Sequence, residues 1–424
     1  MFWPKIVLFR LKHHHFIYPI IIVIAFLVSC QFQDRGGELV FSKSVTYKLP
    51  YYPNYLHSGI LPSKDTGDSQ FYFGNLDESN KIYFFDFDGQ IKDSLQLDLL
   101  VNDQINRAAF IHNKQFLCVS DEGNVLIFDS LGLLIKRFEL DSVMKSFIHC
   151  NKYEFSYVKV RAWENETKVL LHPMWYASES YPYSDSIVNL ALTNYKKYLE
   201  INLEHTKKTP LAYQLLIIGD KNQVTSSEIF KEYNNRIVDS NQFIFGYFEP
   251  SFEINLKNIV AANKFHDSLW LIKQNGEVFA KKVRYTKIPN NDFQRYNTIV
   301  NLKDTNIKFD INTFLDSLEM RMLMNSYVEH VHYSKLLNRY FLVVKLPLDF
   351  AKGALPDLDF GFEAKNIVIL DTNFNVISET ILEKGRYRPL SYVAGNHLFI
   401  CTHNPNKPGY KPNVYTFDVF TINQ

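Results

Sequence analysis

The chain has 424 residues, 46% of them hydrophobic and 15% aromatic, with 46 basic against 45 acidic side chains and a net charge of +1. That balance excludes bulk-charge attraction to nucleic acid or an anionic bilayer, and the apolar content excludes a disordered chain. Sixteen Gly and 16 Pro fall below ordinary usage while 35 Phe and 26 Tyr exceed it, so collagen-like, coiled-coil and polytopic membrane classes are excluded and strands are favoured over helices.

Lys5, Arg10 and Lys12 precede an apolar run from Phe16 to Val28, and the segment closes on Leu27, Val28, Ser29 and Cys30. The run is short for a bilayer span and suits the hydrophobic region of a secretory signal. Its ending resembles the bacterial lipobox, in which small residues precede a cysteine that becomes the lipidated N-terminus. The expectation is a signal peptide over 1–29, an acyl chain such as palmitate on Cys30, a tether over 30–37 and one domain over 38–424, anchored to a membrane without spanning it. His13, His14 and His15 fall in the removed segment and receive no metal role. Of the remaining cysteines, Cys118 lies in the apolar run Phe116 to Val119, which predicts a buried, inert thiol.

The segment Glu38 to Leu49 alternates apolar and polar residues, the period of a half-buried strand. Next come short apolar runs joined by turn residues. Phe71 to Phe73, Ile82 to Phe87 and Ile91 to Leu97 surround Asp86-Phe87-Asp88-Gly89, which lacks the later ligands of a calcium loop and reads as a hairpin turn. Gln115 to Leu140 holds three runs with turns at Asp121 to Asn124 and Asp129 to Gly132. Lys168 to Leu171 pairs with Ile187 to Leu192, and Phe243 to Phe248 with Phe252 to Leu256. Ser268 to Ile272 and Glu277 to Val283 flank Gln274-Asn275-Gly276; Tyr340 to Leu346, Ile367 to Leu370 and Val376 to Leu382 surround Asp371-Thr372-Asn373; Leu398 to Cys401 precedes Val414 to Phe420.

These are seven strand-turn-strand units at a mean spacing of about 56 residues, against about 40 to 50 for a minimal propeller blade, with long loops filling the difference. Antiparallel meanders bury both faces only by stacking on neighbours, and radial stacking does this without long exposed edges. An all-β β-propeller follows, of seven blades with six as the alternative count, its ring closed by the N-terminal strand. One stretch departs from the pattern: Ile311, Leu315, Leu318 and Met322 recur at helical spacing, which predicts one inserted helix over 312–325.

No Gly-rich phosphate loop, nucleophile elbow, zinc-protease motif or EF-hand loop occurs in the sequence. His330 and His332 alternate along a strand and point to one side, a weak metal pair that would need a third ligand; no metal and no cofactor is favoured. Trp175, Tyr176, Tyr181 and Tyr183 form an aromatic loop whose rings could stack on a sugar or a partner surface, or fill gaps between blades. The loop His403 to Tyr410, ending at Tyr410, is a second recognition candidate, and Arg386 and Arg388 could attract anions along a central channel or pair with acidic residues. Asp-Ser followed by an aliphatic residue occurs at Asp93, Asp129, Asp141, Asp185, Asp267 and Asp316. The tripeptide resembles the O-glycosylation sequon of Bacteroidetes and is also ordinary turn chemistry ahead of a strand.

With lipobox, length, repeated meanders and aromatic strands together, the chain resembles a family of Bacteroidetes lipoproteins named for a domain of unknown function, DUF4221, and is similar more distantly to propellers of the TolB and NHL kind. The resemblance implies an address and a fold, and transfers no catalytic residue. The expected protein is a monomeric cell-envelope lipoprotein on the outer membrane, on its periplasmic or surface side. It is expected to act as a non-catalytic interaction propeller for a protein or glycan partner, with the membrane engaged through its lipid and no nucleic acid bound. The alternative is an envelope hydrolase or lyase acting on a carbohydrate at the central channel.

Overall fold

The computed structural model describes residues 38–52, 57–61, 70–76, 79–98, 105–110, 115–120, 124–139, 154–162, 166–174, 214–219, 224–228, 251–255, 258–262, 267–273, 277–289, 292–293, 323–348 and 362–423. They form 24 strands, taken here in chain order. β1 (Leu39–Lys48) precedes a first meander of β2 (His57–Leu61), β3 (Gln70–Asn75), β4 (Lys81–Phe85) and β5 (Ile91–Gln96). A second has β6 (Ile105–Phe110), β7 (Phe116–Ser120), β8 (Asn124–Phe128) and β9 (Leu134–Glu139), and a third β10 (Glu154–Ala162), β11 (Glu166–Met174), β12 (Gln214–Gly219) and β13 (Val224–Glu228). The fourth contains β14 (Ser251–Ile254), β15 (Asn258–Ala262), β16 (Ser268–Lys273) and β17 (Val278–Lys282), and the fifth β18 (Tyr327–Ser334), β19 (Arg339–Lys345), β20 (Lys365–Leu370) and β21 (Val376–Leu382). The last has β22 (Ser391–Ala394), β23 (His397–Cys401) and β24 (Val414–Ile422), completed by β1.

Each meander is a four-stranded antiparallel sheet, and the described residues form six of them. The first strands, β2, β6, β10, β14, β18 and β22, touch in that order and β22 returns to β2, which makes a closed ring. This is a β-propeller with six described sheets, not the seven expected from the sequence. The difference lies at Phe252: the sequence pattern pairs the run Phe252 to Leu256 with Phe243 to Phe248 as a separate unit, whereas Ser251–Ile254 is the innermost strand of the sheet that also holds Ser268–Lys273. The hairpin is tightened by Asn255, whose side chain accepts from the Asn258 backbone N–H at 2.8 Å. Residues 243–248 and 187–192 lie outside the described residues. So does most of the expected helix; only 323–325 of it are described, of which 323 and 324 are helical and 325 is a bend.

The ring is closed as the alternation of β1 required. β1 pairs antiparallel with β24 from Leu39 opposite Ile422 to Lys48 opposite Val414, so the two ends of the domain share one sheet. Val45, Tyr47 and Leu49 point inward and are buried, each separated by an exposed residue.

The high aromatic content has a geometric explanation. A middle strand of a blade is covered on both faces by neighbouring blades, so successive residues enter different wedges of core. In β3, Phe71 and Phe73 pack against the last sheet with Tyr47, Phe399 and Phe417, while Tyr72 between them packs against Phe110 and Phe116 of the second sheet. In β19, Tyr340, Leu342 and Val344 face the fourth sheet and Phe341 and Val343 face the sixth. The outermost strands change character: β9 alternates half-buried and exposed residues, and β17 exposes four of its five.

Three third-to-fourth-strand turns repeat one device. Asp86, Asp129 and Asp371 each accept backbone N–H bonds from the residues two and four positions on, at 2.8 to 3.0 Å. The residue three positions on, Gly89, Gly132 or Phe374, takes a positive φ of 86°, 84° or 60°. These turns dock on the preceding sheet: the Lys43 ammonium pairs with Asp88, the Asp98 N–H donates to the Gly132 carbonyl at 2.9 Å, and Lys281 donates to the Asn373 carbonyl. The Asp86 loop is therefore a hairpin turn that locks blade to blade. In the Asp-Ser tripeptides at 93, 129 and 267, likewise, each aspartate accepts a local hydrogen bond.

Candidate functional site

His330 and His332 project from β18 to the same side, as alternation predicts, with ring centroids 5.6 Å apart. Both reach the neighbouring blade: His330 Nε2 lies 2.7 Å from the Pro389 carbonyl, and His332 Nε2 lies 2.8 Å from Ser391 Oγ. They join the fifth sheet to the sixth. Among the described residues no group of three His, Cys, Asp or Glu side chains is placed to hold a metal. Glu329 faces away from them and meets Lys365 at 2.8 Å in a fully buried pair.

Lys365 and Glu329 belong to a second cluster that sequence reading passed over. Lys345 donates to the carbonyls of Leu323 and Asn325 at 2.8 and 3.1 Å, and burial pushes its pKa down to about 8. Burial also raises the Glu363 carboxyl above its usual range, against the pull of Lys345 and Lys365. No residue of this network is more than 8% exposed, so it braces the end of the fifth blade beneath the surface.

Arg386 pairs with Asp418 at 2.5 Å, and Tyr387 and Ser44 hydrogen-bond the same carboxylate at 3.0 and 2.6 Å. Asp418 is buried on β24, so this knot ties β1, β24 and the 386–387 segment together. Arg388 sits against the same blade: its backbone N–H donates to the Cys401 carbonyl at 2.9 Å, and its charge acts on His403, Cys401 and Tyr415. Cys118 and Cys401 are buried and in no disulfide, Cys118 as expected, and burial pushes Cys401 up to about 11.

The cleft of interest is formed by the long second-to-third-strand connection of the last blade. Residues 402–413 join β23 to β24, where the first, second and fourth blades use three to five residues, as at 263–267. Pro405, Pro408 and Gly409 keep this segment out of the sheet. Asn404 holds its start, accepting from the Asn406 N–H at 2.8 Å, and the Tyr410 N–H donates to the Lys407 carbonyl at 3.2 Å. The loop encloses a cleft of about 200 Å³ lined by Thr402, His403, Lys407, Tyr410, Lys411 and Thr416, among others.

His403 is held between two rings, Tyr415 stacked at 4.3 Å and Tyr410 tilted at 4.6 Å. Burial, and next the Arg388 charge, lower its pKa, while a hydrogen bond to the Val414 backbone opposes them. The imidazole is 6% exposed and its Nε2 has no hydrogen-bond partner among the described residues. Tyr410 remains 39% exposed over this ring. The aromatic loop of Trp175, Tyr176, Tyr181 and Tyr183, and Cys30, lie outside the described residues.

A solved member of the DUF4221 family has this fold. That protein, from Bacteroides vulgatus, superposes with a TM-score of 0.61 at 17% identity, covering 92% of this chain and 99% of its own. The resemblance expected from the sequence is thus found in three dimensions. Virginiamycin B lyase from Staphylococcus aureus aligns over 90% of this chain and 99% of its own at 9% identity and a TM-score of 0.39. BamB from Moraxella catarrhalis aligns over 91% and 100% at 9% identity and a TM-score of 0.36. No family model and no curated protein matches the sequence.

Proposed function

We propose that the chain is a lipid-anchored cell-envelope propeller that acts without catalysis, presenting the 402–413 cleft to a glycan or protein partner. The observation that carries this reading is the cleft itself, where a ring stack, an unpartnered imidazole nitrogen and two lysines converge on one exposed loop. The anchor supports it by position. Cys30 stands nine residues before Leu39, so the tether reaches at most about 30 Å. β1 then runs ten residues, from Leu39 beside Ile422 to Lys48 beside Val414, which places the cleft about 30 Å along the strand from the tethered end.

The hydrolase form of the alternative, a carbohydrate-cleaving enzyme at the central channel, ordinarily uses two carboxylates in contact with substrate. One acidic pair among the described residues, Glu329 and Glu363, is buried among lysines at 8% and 1% exposure, out of a substrate's reach. The test is affinity capture from envelope extract with the lipidated protein and with a variant whose 405–411 loop is replaced by Gly-Ser. A partner retained by the first and lost by the second supports the proposal, and equal recovery by both contradicts it.

A further inference from the structure

One end of the ring carries most of the exposed large apolar side chains among the described residues. The fifth and sixth sheets run the same way, since His330, His332 and Ser334 of β18 meet Pro389, Ser391 and Gly395 in that order. Lys43, near the start of β1, pairs with Asp88 in the third-to-fourth-strand turn of the first sheet, and Phe110 at the end of β6 packs on Phe84 near the end of β4. The first-to-second and third-to-fourth turns of these four sheets therefore share the end at which β1 begins. At that end Val40, Phe41, Ile91, Leu131, Leu133 and Leu336 are exposed, on sheets that follow one another round the ring. Tyr52, Ile381 and Tyr410 lie toward the opposite end.

The turn of the second sheet departs from its counterparts. Asp86, Asp129 and Asp371 close one kind of turn by accepting from the N–H groups two and four positions on. Those positions hold Asp88 and Gln90 in the first sheet and Asn373 and Asn375 in the fifth, where Lys43 pairs with Asp88 and Lys281 bonds to both asparagines. In the second sheet they hold Leu131, 75% exposed, and Leu133, 54% exposed. Asp129 and Gly132 already hold this turn, so its geometry asks for leucine at neither position. The chain also enters at this end: Leu39 opens β1, and Cys30 stands nine residues before it. An acyl chain on Cys30 would keep this end, and not the end with the 402–413 cleft, within about 30 Å of a bilayer.

We propose that the apolar rim formed by the start of β1 and the Leu131–Leu133 turn docks on the lipid bilayer, adding a protein-borne contact to the acyl anchor and fixing how the propeller stands on the membrane. This rests on the reading of the chain as lipid-anchored and names the surface that meets the lipid. A flexible tether alone leaves the propeller free to tumble, whereas apolar tips on rigid turns gain by burial at the headgroup–acyl boundary. The carboxylates beside them do not oppose this, because Asp88 is paired with Lys43, Asp86 with Lys92, and Asp129 is bonded to its own turn.

The experiment couples the full mature chain, residues 30–424 carrying Cys150→Ser, through Cys30 to a maleimide lipid in vesicles of phosphatidylethanolamine and phosphatidylglycerol; Cys118 and Cys401 are buried. Tryptophan is introduced by Leu131→Trp or, at the other end, by Tyr410→Trp, and the fluorescence added over the parent is read with and without bromine on the lipid acyl chains. Leu131→Trp should lose about half of its added fluorescence, as for a side chain at the headgroup–acyl boundary, and Tyr410→Trp almost none. In sedimentation of the uncoupled Cys30→Ser chain with the same vesicles, Leu131→Ser with Leu133→Ser should weaken binding about tenfold without lowering the melting temperature, since both side chains are exposed. No quenching at 131, equal quenching at 131 and 410, or a serine variant that binds like the parent overturns the proposal. A dimer in solution that the serine variant dissolves assigns the rim to a second copy and overturns it too. Because the coupling is chemical, the outcome is independent of acylation in the cell. Mass spectrometry of the native N-terminus tests that reading separately, and an unmodified Cys30 together with quenching at 131 removes the anchor and leaves the docking rim.

Discussion

Tyr47 gives the sharpest test of how the ring is latched. Its side chain is fully buried on β1, with Phe71, Phe73 and Phe85 of the first sheet and Phe417 of the last at centroid distances of 5.1, 5.6, 5.6 and 5.7 Å. Truncation to alanine removes a ring that bridges the first and last blades, and large aromatic-to-alanine changes in a core cost about 3 to 5 kcal/mol. With four aromatic partners in place the upper half of that range is expected, about 4 to 5 kcal/mol, because each ring pair adds about 0.5 to 1.5 kcal/mol beyond buried area. At roughly 2 °C per kcal/mol for a large domain, Tyr47→Ala should lower the melting temperature by about 8 to 10 °C. The hydroxyl carries the opposite expectation. It is buried without a hydrogen-bond partner, and an unsatisfied buried hydroxyl costs about 1 to 3 kcal/mol, so Tyr47→Phe should be neutral or stabilising by about 1 kcal/mol. Urea unfolding followed by fluorescence and by protease cleavage ahead of β1 measures both. A Tyr47→Ala protein within about 1 kcal/mol of the parent, or a Tyr47→Phe protein that loses as much as the alanine variant, would refute the reasoning.

The glycine turns provide a paired comparison: a Cβ at Gly132 would lie 1.8 Å from the Gln96 carbonyl oxygen and one at Gly89 2.2 Å from that of Thr46, whereas at Gly385 nothing lies within 4 Å. All three have positive φ, so Gly385→Ala should cost only about 1 kcal/mol of backbone strain and Gly132→Ala several times that, read by thermal melting. Asp418→Ala should cost about 1 to 3 kcal/mol, since it removes the acceptor shared by Tyr387, Ser44 and the half-exposed Arg386, while Ser44→Ala, which removes one neutral donor, should cost about 1. Stability should also fall steeply in alkali. Burial raises the phenols of Tyr47, Tyr285, Tyr340, Tyr387 and Tyr392 and pushes Tyr415 up to about 12, so between pH 10 and 12 the unfolded chain releases protons the folded one keeps. Each such tyrosine contributes a loss of about 1.4 kcal/mol per pH unit above 10, and a urea midpoint unchanged from pH 9 to 11 would contradict this.

Much of the fold was legible because a propeller writes itself locally. Middle strands such as Phe116 to Val119 and Ile367 to Leu370 appear as unbroken apolar runs, since both of their faces are covered. The Asp-x-x-Gly turns at Asp86 and Asp129 carry their own chemistry, and the alternation of Val45, Tyr47 and Leu49 called for a partner that only the other end of the chain could supply. Three inner strands were not legible: the innermost Ser391–Ala394 is only four residues long, the innermost His57–Leu61 contains Gly59, and the second strand Asn258–Ala262 ends on two alanines. Missing Asn258–Ala262 left Phe252 without its true partner and produced the seventh unit.

The site was half legible. The Pro and Gly residues of 402–413 mark a loop, and Tyr410 stands out as its aromatic tip. Nothing in the spacing shows that His403 would be clamped between Tyr410 and Tyr415, since Tyr415 reads as an ordinary core-facing strand residue. The arginines illustrate the same limit: charge was evident, but Arg386 finds its partner 32 residues away on β24. Lys345 and Lys365 look like surface lysines until the sheet brings Glu329 and Glu363 beside them.

The central claim is a ring of sheets closed by β1 against β24, and cross-linking tests it most directly. Thr46 and Thr416 face each other across β1 and β24 with their hydroxyl oxygens 3.1 Å apart. In a Cys30→Ser, Cys150→Ser background, Thr46→Cys with Thr416→Cys should oxidise to a single intramolecular disulfide in the native state, and trypsin should then leave the two peptides joined. Free thiols at both positions in folded protein, or a disulfide that forms only between two molecules, would contradict the closed ring.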